Sequence, residues 1–503
     1  MAVPKIVGIE TEFGIMVRGT TEWNPVSASS LLINAYVGKA AGGLDERSAP
    51  VGWDFIDETP GADARDLMGP DFGLGPEVET HLVNAVLTNG ARYYVDHAHP
   101  ELSTPECRDA HAVVRYDRAA ELILIESMRA VAQNLPGGQE IVIYKDNSDR
   151  KGNAYGCHEN YLLDRALPFG RIITLATTHF VTRQIFTGSG KVGSELPGVG
   201  IDQVPYQLTQ RADFFEEEVG LETTLKRPIV NTRDEPHADS QKYRRLHVIV
   251  GDANLSQVAT LLKVGTSAIL LAMLEDDAIE RGWALADPVP TMHKVSQDLS
   301  LSAPLDLADG RTATALEIQW DLLAQARAWA ETRGLEAVGE ASGADVLDRW
   351  EAILAGLERD PMGLADQVDW VAKRRLLDGF MARHDCDWGD PRLRAVDLQY
   401  HDLRPERSLA ARAGLMTIVD EASARRAMTE PPEDTRAYFR GRCLQKFADH
   451  VVAANWDSIV FDVGDDPLRR VPMLEPGRGT VVHVGKLLDE SETVGELLAK
   501  LGA

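Results

Sequence analysis

Hydrophobic and polar positions alternate in short stretches of this chain, and the polar partners in those stretches are chemically reactive. Residues 5–15 alternate and predict a strand with Glu10 and Glu12 on one face, because side chains two apart on an extended chain project the same way. Further strands are predicted around 91–95 and over 140–144. Apolar residues at helical spacing predict a helix over 112–135, and an apolar helix is expected over about 255–274. Between 225 and 253 the pattern reads strand, charged turn, strand. Residues 313–404 read as amphipathic helices interrupted by Gly and Pro.

The pattern fails over residues 37–75, where Gly, Ala, Pro and Asp dominate and Trp53 and Phe55 are the few anchors. A long loop is expected there, able to reach the mouth of a site and held transiently by those two rings. The cluster Glu430-Pro431-Pro432-Glu433-Asp434 marks the expected boundary between a large unit, 1–430, and a small one, 435–503. The small unit should hold a helix near 438–452 and two short strands.

Charge and cysteine content narrow the function classes. The formal charge is −26, from 78 acidic against 52 basic side chains, which disfavours non-specific binding to nucleic acid or anionic membrane. A nucleotide would therefore need a local basic groove. Cys107, Cys157, Cys386 and Cys443 are far apart in sequence, so neither disulfides nor a cysteine zinc site is expected. No uninterrupted apolar run suits a membrane helix, and the first residues do not read as a secretory signal, so a cytoplasmic enzyme is the expectation.

Two familiar-looking motifs fail on their chemistry. Gly188-Ser189-Gly190-Lys191-Val192 hints at a phosphate loop, but its first glycine is misplaced and Val192 stands where a metal-binding hydroxyl is needed. Asp71-Phe72-Gly73 suggests a kinase, yet no catalytic loop accompanies it.

Four other constellations carry chemistry. Glu10-Thr11-Glu12 places two carboxylates on one strand face with their α-carbons roughly 6–7 Å apart, a spacing that suits a pair of divalent cations as well as a solvated face. Arg92, Tyr94 and Asp96 share one strand face, with Glu101, Ser103 and Thr104 just beyond. The small residues Gly152 to Gly156 lead into a strand on which His158 and Asn160 face the same way. Six Lys and Arg side chains lie between 226 and 245, among them Arg227, Arg233 and Arg245, and form the candidate basic groove. His247 alternates with Arg245, so a metal ligand and a phosphate ligand would sit side by side.

These motifs resemble a known family. Gly8-Ile9-Glu10-Thr11-Glu12-Phe13-Gly14 is similar to the first metal strand of the carboxylate–amine ligase superfamily that includes glutamine synthetase. Asn89-Gly90-Ala91-Arg92, His99-Pro100-Glu101, Gly156-Cys157-His158-Glu159-Asn160-Tyr161 and Asn231-Thr232-Arg233-Asp234-Glu235-Pro236-His237-Ala238-Asp239 resemble the enzymes of the Pup pathway, over nearly the whole chain. Asp96-His97-Ala98-His99-Pro100 and the long loop look more like the deamidases/depupylases than the ligases.

The resemblance implies an α+β fold: a glutamine-synthetase-like large domain with a curved, mostly antiparallel sheet backed by helices, and a small C-terminal α/β domain. It implies an ATP- and Mg2+-dependent amide hydrolase that deamidates the C-terminal Gln of Pup and cleaves the Pup–lysine isopeptide bond. Pup and pupylated proteins would be its partners, in a bacterial proteasome pathway. A Pup–protein ligase, or another ATP-dependent γ-glutamyl ligase, is the alternative. Asp96 would be the catalytic carboxylate, acting as nucleophile or as base. Glu10, Tyr94, Glu101, His158 and His247 would hold magnesium, with Glu12 a further candidate. Arg92, Ser103, Thr104, Asn160, Arg227, Arg233 and Arg245 would bind ATP, with Trp456 packed near the adenine.

Overall fold

The computed structural model describes residues 1–40, 51–56, 58–59, 61–65, 82–464 and 467–502. Its frame is a ten-stranded sheet. In chain order the strands are β1 (Val7–Glu12), β2 (Gly52–Trp53), β3 (Asn84–Val86), β4 (Arg92–Asp96), β5 (His99–Ser103), β6 (Cys157–Asp164), β7 (Tyr243–Val248), β8 (Val451–Ala454), β9 (Ser458–Phe461) and β10 (Arg469–Pro472). Side by side they run β7-β6-β1-β5-β4-β3-β2-β8-β9-β10. Neighbours are antiparallel except β2 and β8, which are parallel. The fold is α+β, with a large, mixed, mostly antiparallel sheet backed by helices.

Alternation in β1 decides which face does what. Val7 and Ile9 are buried in the main core, together with residues of the helices α1 (Pro25–Ala40), α2 (Ala110–Val131) and α3 (Gln257–Glu275). Glu10 projects from the opposite face, which is left for chemistry. The helices start where capping chemistry permits: the Asp109 carboxylate accepts from the Ala112 N–H, and the Ser256 hydroxyl from the Ala259 N–H. α3 is apolar and long enough to cross a membrane, but it is almost wholly buried as a core helix.

The alternation and helical spacing locate β4, α2, α3 and the strand Glu140–Tyr144 to within a few residues. The strand expected over 5–15 divides at Phe13: β1 ends at Glu12, and Gly14–Arg18 pairs with Glu140–Tyr144 in a separate two-stranded sheet. Helix α1 was not foreseen. The C-terminal segment has three strands rather than two, and two more helices, Val481–Asp489 and Val494–Leu501.

The expected 37–75 loop needs correction in its described parts. Its first residues complete α1. Trp53 is not a transient anchor: it lies in β2, only 6% exposed, in a second core with Val86, Phe439, Ile459 and Phe461. Its Nε1–H donates to Glu58 at 2.6 Å, and its ring meets Trp456 edge-on at 5.1 Å. β2 is also the link between β3 and β8, so the C-terminal strands extend the main sheet. Deleting 41–73 is therefore expected to lower the melting temperature and loosen the C-terminal segment. Trp53→Ala alone should cost about 3–5 kcal/mol, as for other buried large-to-small changes. An unchanged melting curve for Trp53→Ala would contradict this placement. Asp71-Phe72-Gly73 lies outside the described residues.

Candidate active site

Register across five neighbouring strands assembles the site. Glu10 of β1 stands opposite His158 of β6 and Ser103 of β5, and Glu12 opposite Glu101. Tyr94 pairs with Glu101, Arg92 with Ser103, and His247 with Asn160. Period two then puts Arg92, Tyr94 and Asp96, Glu101 and Ser103, Glu10 and Glu12, His158 and Asn160, and Arg245 and His247 on one face.

Two trios on this face have the donor sets of cation sites. In the first, Glu10, His158 and His247 each offer a ligand atom, all within 4.8 Å of one another, as do Glu12, Asp96 and Glu101 in the second. Glu10 Oε1 lies 3.9 Å from His158 Nδ1 and 3.5 Å from His247 Nδ1, and accepts from Asn160 Nδ2 at 3.1 Å. Ser103 Oγ lies 3.5 Å from both Glu10 Oε2 and the Tyr94 hydroxyl. The backbone N–H of Gly156 donates to Glu12 at 2.8 Å.

Electrostatics set the charge states. Burial pushes His158 down to about 4, against the pull of Glu10, and burial with the Arg245 charge drives His247 well below the usual range. Both imidazoles are neutral near pH 7, with lone pairs for a cation. Burial, and then the charge of Asp96, raise Glu12 to about 7 and Glu101 well above the carboxylate range. Such mutual repulsion is what a bound divalent cation relieves. Asp96 behaves oppositely. Burial favours its neutral form, but the hydrogen bond with His97, at 3.0 Å, and the nearby positive charge of Arg92 prevail, so it stays ionised. Its carboxyl is 39% exposed and open to a reactant.

A cleft with a volume of about 100 Å³ adjoins the first trio. Glu10, Ser103, Asn160 and Arg245 line it toward the trio, and Leu162, Pro236, Trp456 and Pro476 give it apolar walls. The C-terminal wall is tied down by ionic contacts. Arg436 bonds Glu106 at 2.6 Å, and Arg440 bonds Glu106 and the Trp456 carbonyl. Burial alone would raise Glu106, but Arg440 and Arg436 draw it down to about 2.

The structure thus brings together all six expected metal ligands, Asp96, Arg92, Ser103, Asn160, Arg245 and Trp456. Arg92 stacks on Trp53 at 4.1 Å and on Tyr94 at 3.9 Å. Thr104 lines the cleft, though its hydroxyl already accepts from the Ile9 N–H. The charge of Arg233 is felt by His158 and His247. Arg227 is held by the Thr223 and Ala154 carbonyls on the Glu12 side and does not line the cleft.

The continuous basic groove is a correction. Arg244 points to the other face and pairs with Asp234, and Lys242 pairs with Glu475 and Asp239. Lys191 of the rejected phosphate-loop motif is buried against Asp213 and Glu195. All four cysteines are unpaired. Sequence reasoning missed Gly8, Pro236, His237, Arg436 and Pro476 as cleft residues. Gly8 carried a signal: it pairs with Asn160 on the reactive face, where a side chain would meet Thr104 Oγ1 at 3.3 Å.

Comparison with known proteins adds to this geometry. The family model described as Pup-ligase protein matches residues 5–460. The chain is 50% identical to a depupylase of Acidothermus cellulolyticus and 46% identical to a Pup deamidase/depupylase of Mycobacterium tuberculosis (strain ATCC 25618 / H37Rv), in each case over 99% of both chains. Among solved structures it is similar to the complex between the prokaryotic ubiquitin-like protein Pup and its ligase PafA, with a TM-score of 0.78 and 28% identity, covering 99% of this chain and 94% of that one. It is also similar to the Pup ligase PafA in complex with ADP, with a TM-score of 0.72 and 33% identity over 81% of this chain and 89% of that one.

Proposed function

This chain belongs to the Pup-ligase protein family, and on that premise we propose that it works on the hydrolytic side of Pup chemistry. It is a Pup deamidase/depupylase: an enzyme that converts the C-terminal Gln of Pup to Glu and cleaves the amide joining Pup to a target lysine. Pup and pupylated proteins are its partners in this reading, in a cytoplasmic, proteasome-linked pathway. The observation that carries it is the ionised, solvent-reachable Asp96, a member of one of two trios of cation-type donors on one sheet face, in a chain 46–50% identical to deamidases/depupylases over 99% of its length.

The donor set fits magnesium and a nucleotide. Glu10, His158 and His247, with Ser103 and Tyr94 alongside, would hold one cation, and Glu12 and Glu101 a second. Arg245, Asn160 and Ser103 would take the phosphates, with Arg233 and Arg92 near them and Trp456 against the adenine. Arg227 remains a candidate only through its charge on the Glu12 side. Bound there, magnesium held with a nucleotide phosphate would supply positive charge to offset the negative charge that develops on the amide oxygen. By the family resemblance, ATP would serve as a bound cofactor and would not be spent once per turnover. A catalytic unit over 1–430 and a small unit over 435–503 remain the proposed division, with the second core drawing Trp53 and Val86 from the larger unit.

An amide is poorly electrophilic, so the chain must supply an activated oxygen. The Asp96 carboxylate adds to the carbonyl carbon and expels the amine, which takes a proton from water, leaving an anhydride that the resulting hydroxide opens, or it takes a proton from a water that makes the same attack and passes that proton to the departing amine. Either route needs Asp96 ionised, and the His97 hydrogen bond favours that state. Purified Pup–lysine conjugate should be split to free target and Pup ending in Glu in the presence of magnesium and ATP. Stable conjugate, together with ADP release that depends on a lysine acceptor, would favour the ligase reading.

Proton linkage follows from the second trio. Glu12 sits near 7 and Glu101 well above the usual carboxylate range, and both must ionise to ligate a cation. Magnesium binding should release on the order of one proton near neutrality, and affinity should rise as pH increases through about 7. Calorimetry in buffers of different ionisation enthalpy reads this directly. A heat independent of buffer and an affinity independent of pH would exclude these carboxylates from the cation site.

A further inference from the structure

The reactive carboxylate has a neighbour in an unusual backbone state. Asp96 closes β4 and pairs with His99 at the start of β5, so His97 and Ala98 form a two-residue hairpin turn. His97 has φ +52°, in the left-handed region where Gly or Asn is the ordinary choice. Its side chain is 67% exposed, yet Nδ1 lies 3.0 Å from Asp96 Oδ2.

We propose that His97 is a positioning residue for the hydrolysis, its Nδ1–H fixing Asp96 Oδ2 so that the carboxylate meets the amide in one orientation. This rests on the reading of Asp96 as the catalytic group. An ionised carboxylate only accepts hydrogen bonds, so the shared proton belongs to Nδ1. A purely structural role fits poorly. An ion pair this exposed contributes little to stability, and glycine would hold the turn without a Cβ penalty. Strain of this kind at a reactive residue is characteristic of pre-organised sites. Arg92 acts on Asp96 from the metal-bearing face of the sheet, whereas His97 contacts the carboxylate from the hairpin turn. His97 neither gains nor loses a proton in this role, and it serves the nucleophile and base routes alike.

Three variants of the full-length enzyme test this, with Pup ending in Gln as substrate and saturating magnesium and ATP. His97→Gly keeps the turn and removes the donor, and kcat should fall on the order of 10–100-fold with KM and nucleotide affinity unchanged. His97→Asn keeps both a left-handed preference and an N–H donor and should stay within several-fold of the parent. Free imidazole should restore part of the His97→Gly rate, because the vacated position is open to solvent, whereas a variant damaged only in its fold gains nothing. Parental activity in His97→Gly would overturn the proposal. So would an Asn variant no better than the Gly variant with no response to imidazole. Asp96→Ala, assayed alongside, separates the two readings: if it stays active, the assignment of Asp96 falls and takes this inference with it. If it is dead while His97→Gly is fully active, only the inference falls.

Discussion

Asp96→Ala should lose at least about a thousandfold in Pup-Gln deamidation while binding nucleotide within a few-fold of the parent. The separation of the two effects is the informative part. Asp96 is absent from the cleft lining, where Glu10, Ser103, Asn160, Arg245 and Trp456 converge, so its removal leaves nucleotide contacts in place. It also removes one of three mutually repelling acids, and Glu12 and Glu101 should ionise more readily without it. The variant should therefore fold and melt like the parent or slightly higher. Substantial turnover by Asp96→Ala would take the residue out of the reaction.

The second large effect belongs to Glu10. Its carboxylate is the meeting point of Asn160, His158, His247 and Ser103, contributed by three neighbouring strands. Loss of a group that merely supports a metal ligand typically costs 10–100-fold in affinity, and loss of a ligand should cost at least about that. Glu10→Ala is expected to weaken magnesium-dependent nucleotide binding to that extent, and His158→Ala to act in the same direction. Without magnesium the Glu10 variant should melt close to the parent, since Glu10 is no part of the core. Calorimetry showing unchanged nucleotide and magnesium binding in both variants would refute the metal assignment.

Much of this site was legible because it lies on strands. Period two fixes which side chains share a face, and Glu10, Glu12, Arg92, Tyr94, Asp96, His158, Asn160, Arg245 and His247 could be grouped before any pairing was known. Register was not legible. That Glu10 meets His158 and Glu12 meets Glu101 depends on hydrogen bonding between distant segments. β2 escaped notice because two residues in a Gly- and Pro-rich stretch show no periodicity, and the burial of Trp53 depends on pairing with a strand about 400 residues later. Arg436 reaches the cleft through Glu106, a contact of long sequence separation, and its backbone N–H in turn holds the Pro476 carbonyl. The basic groove was over-read because alternation sends Arg244 away from the face that Arg245 joins.

The central claim, hydrolysis of an amide with nucleotide bound and not spent, is tested most directly by one time course. The intact enzyme is mixed with Pup ending in Gln, magnesium and ATP, and Pup mass and ADP are followed together. The account predicts complete conversion of Gln to Glu, with ammonia released and ADP falling far short of one per turnover. No change in Pup mass, with ADP accumulating only when a lysine acceptor is present, would contradict it.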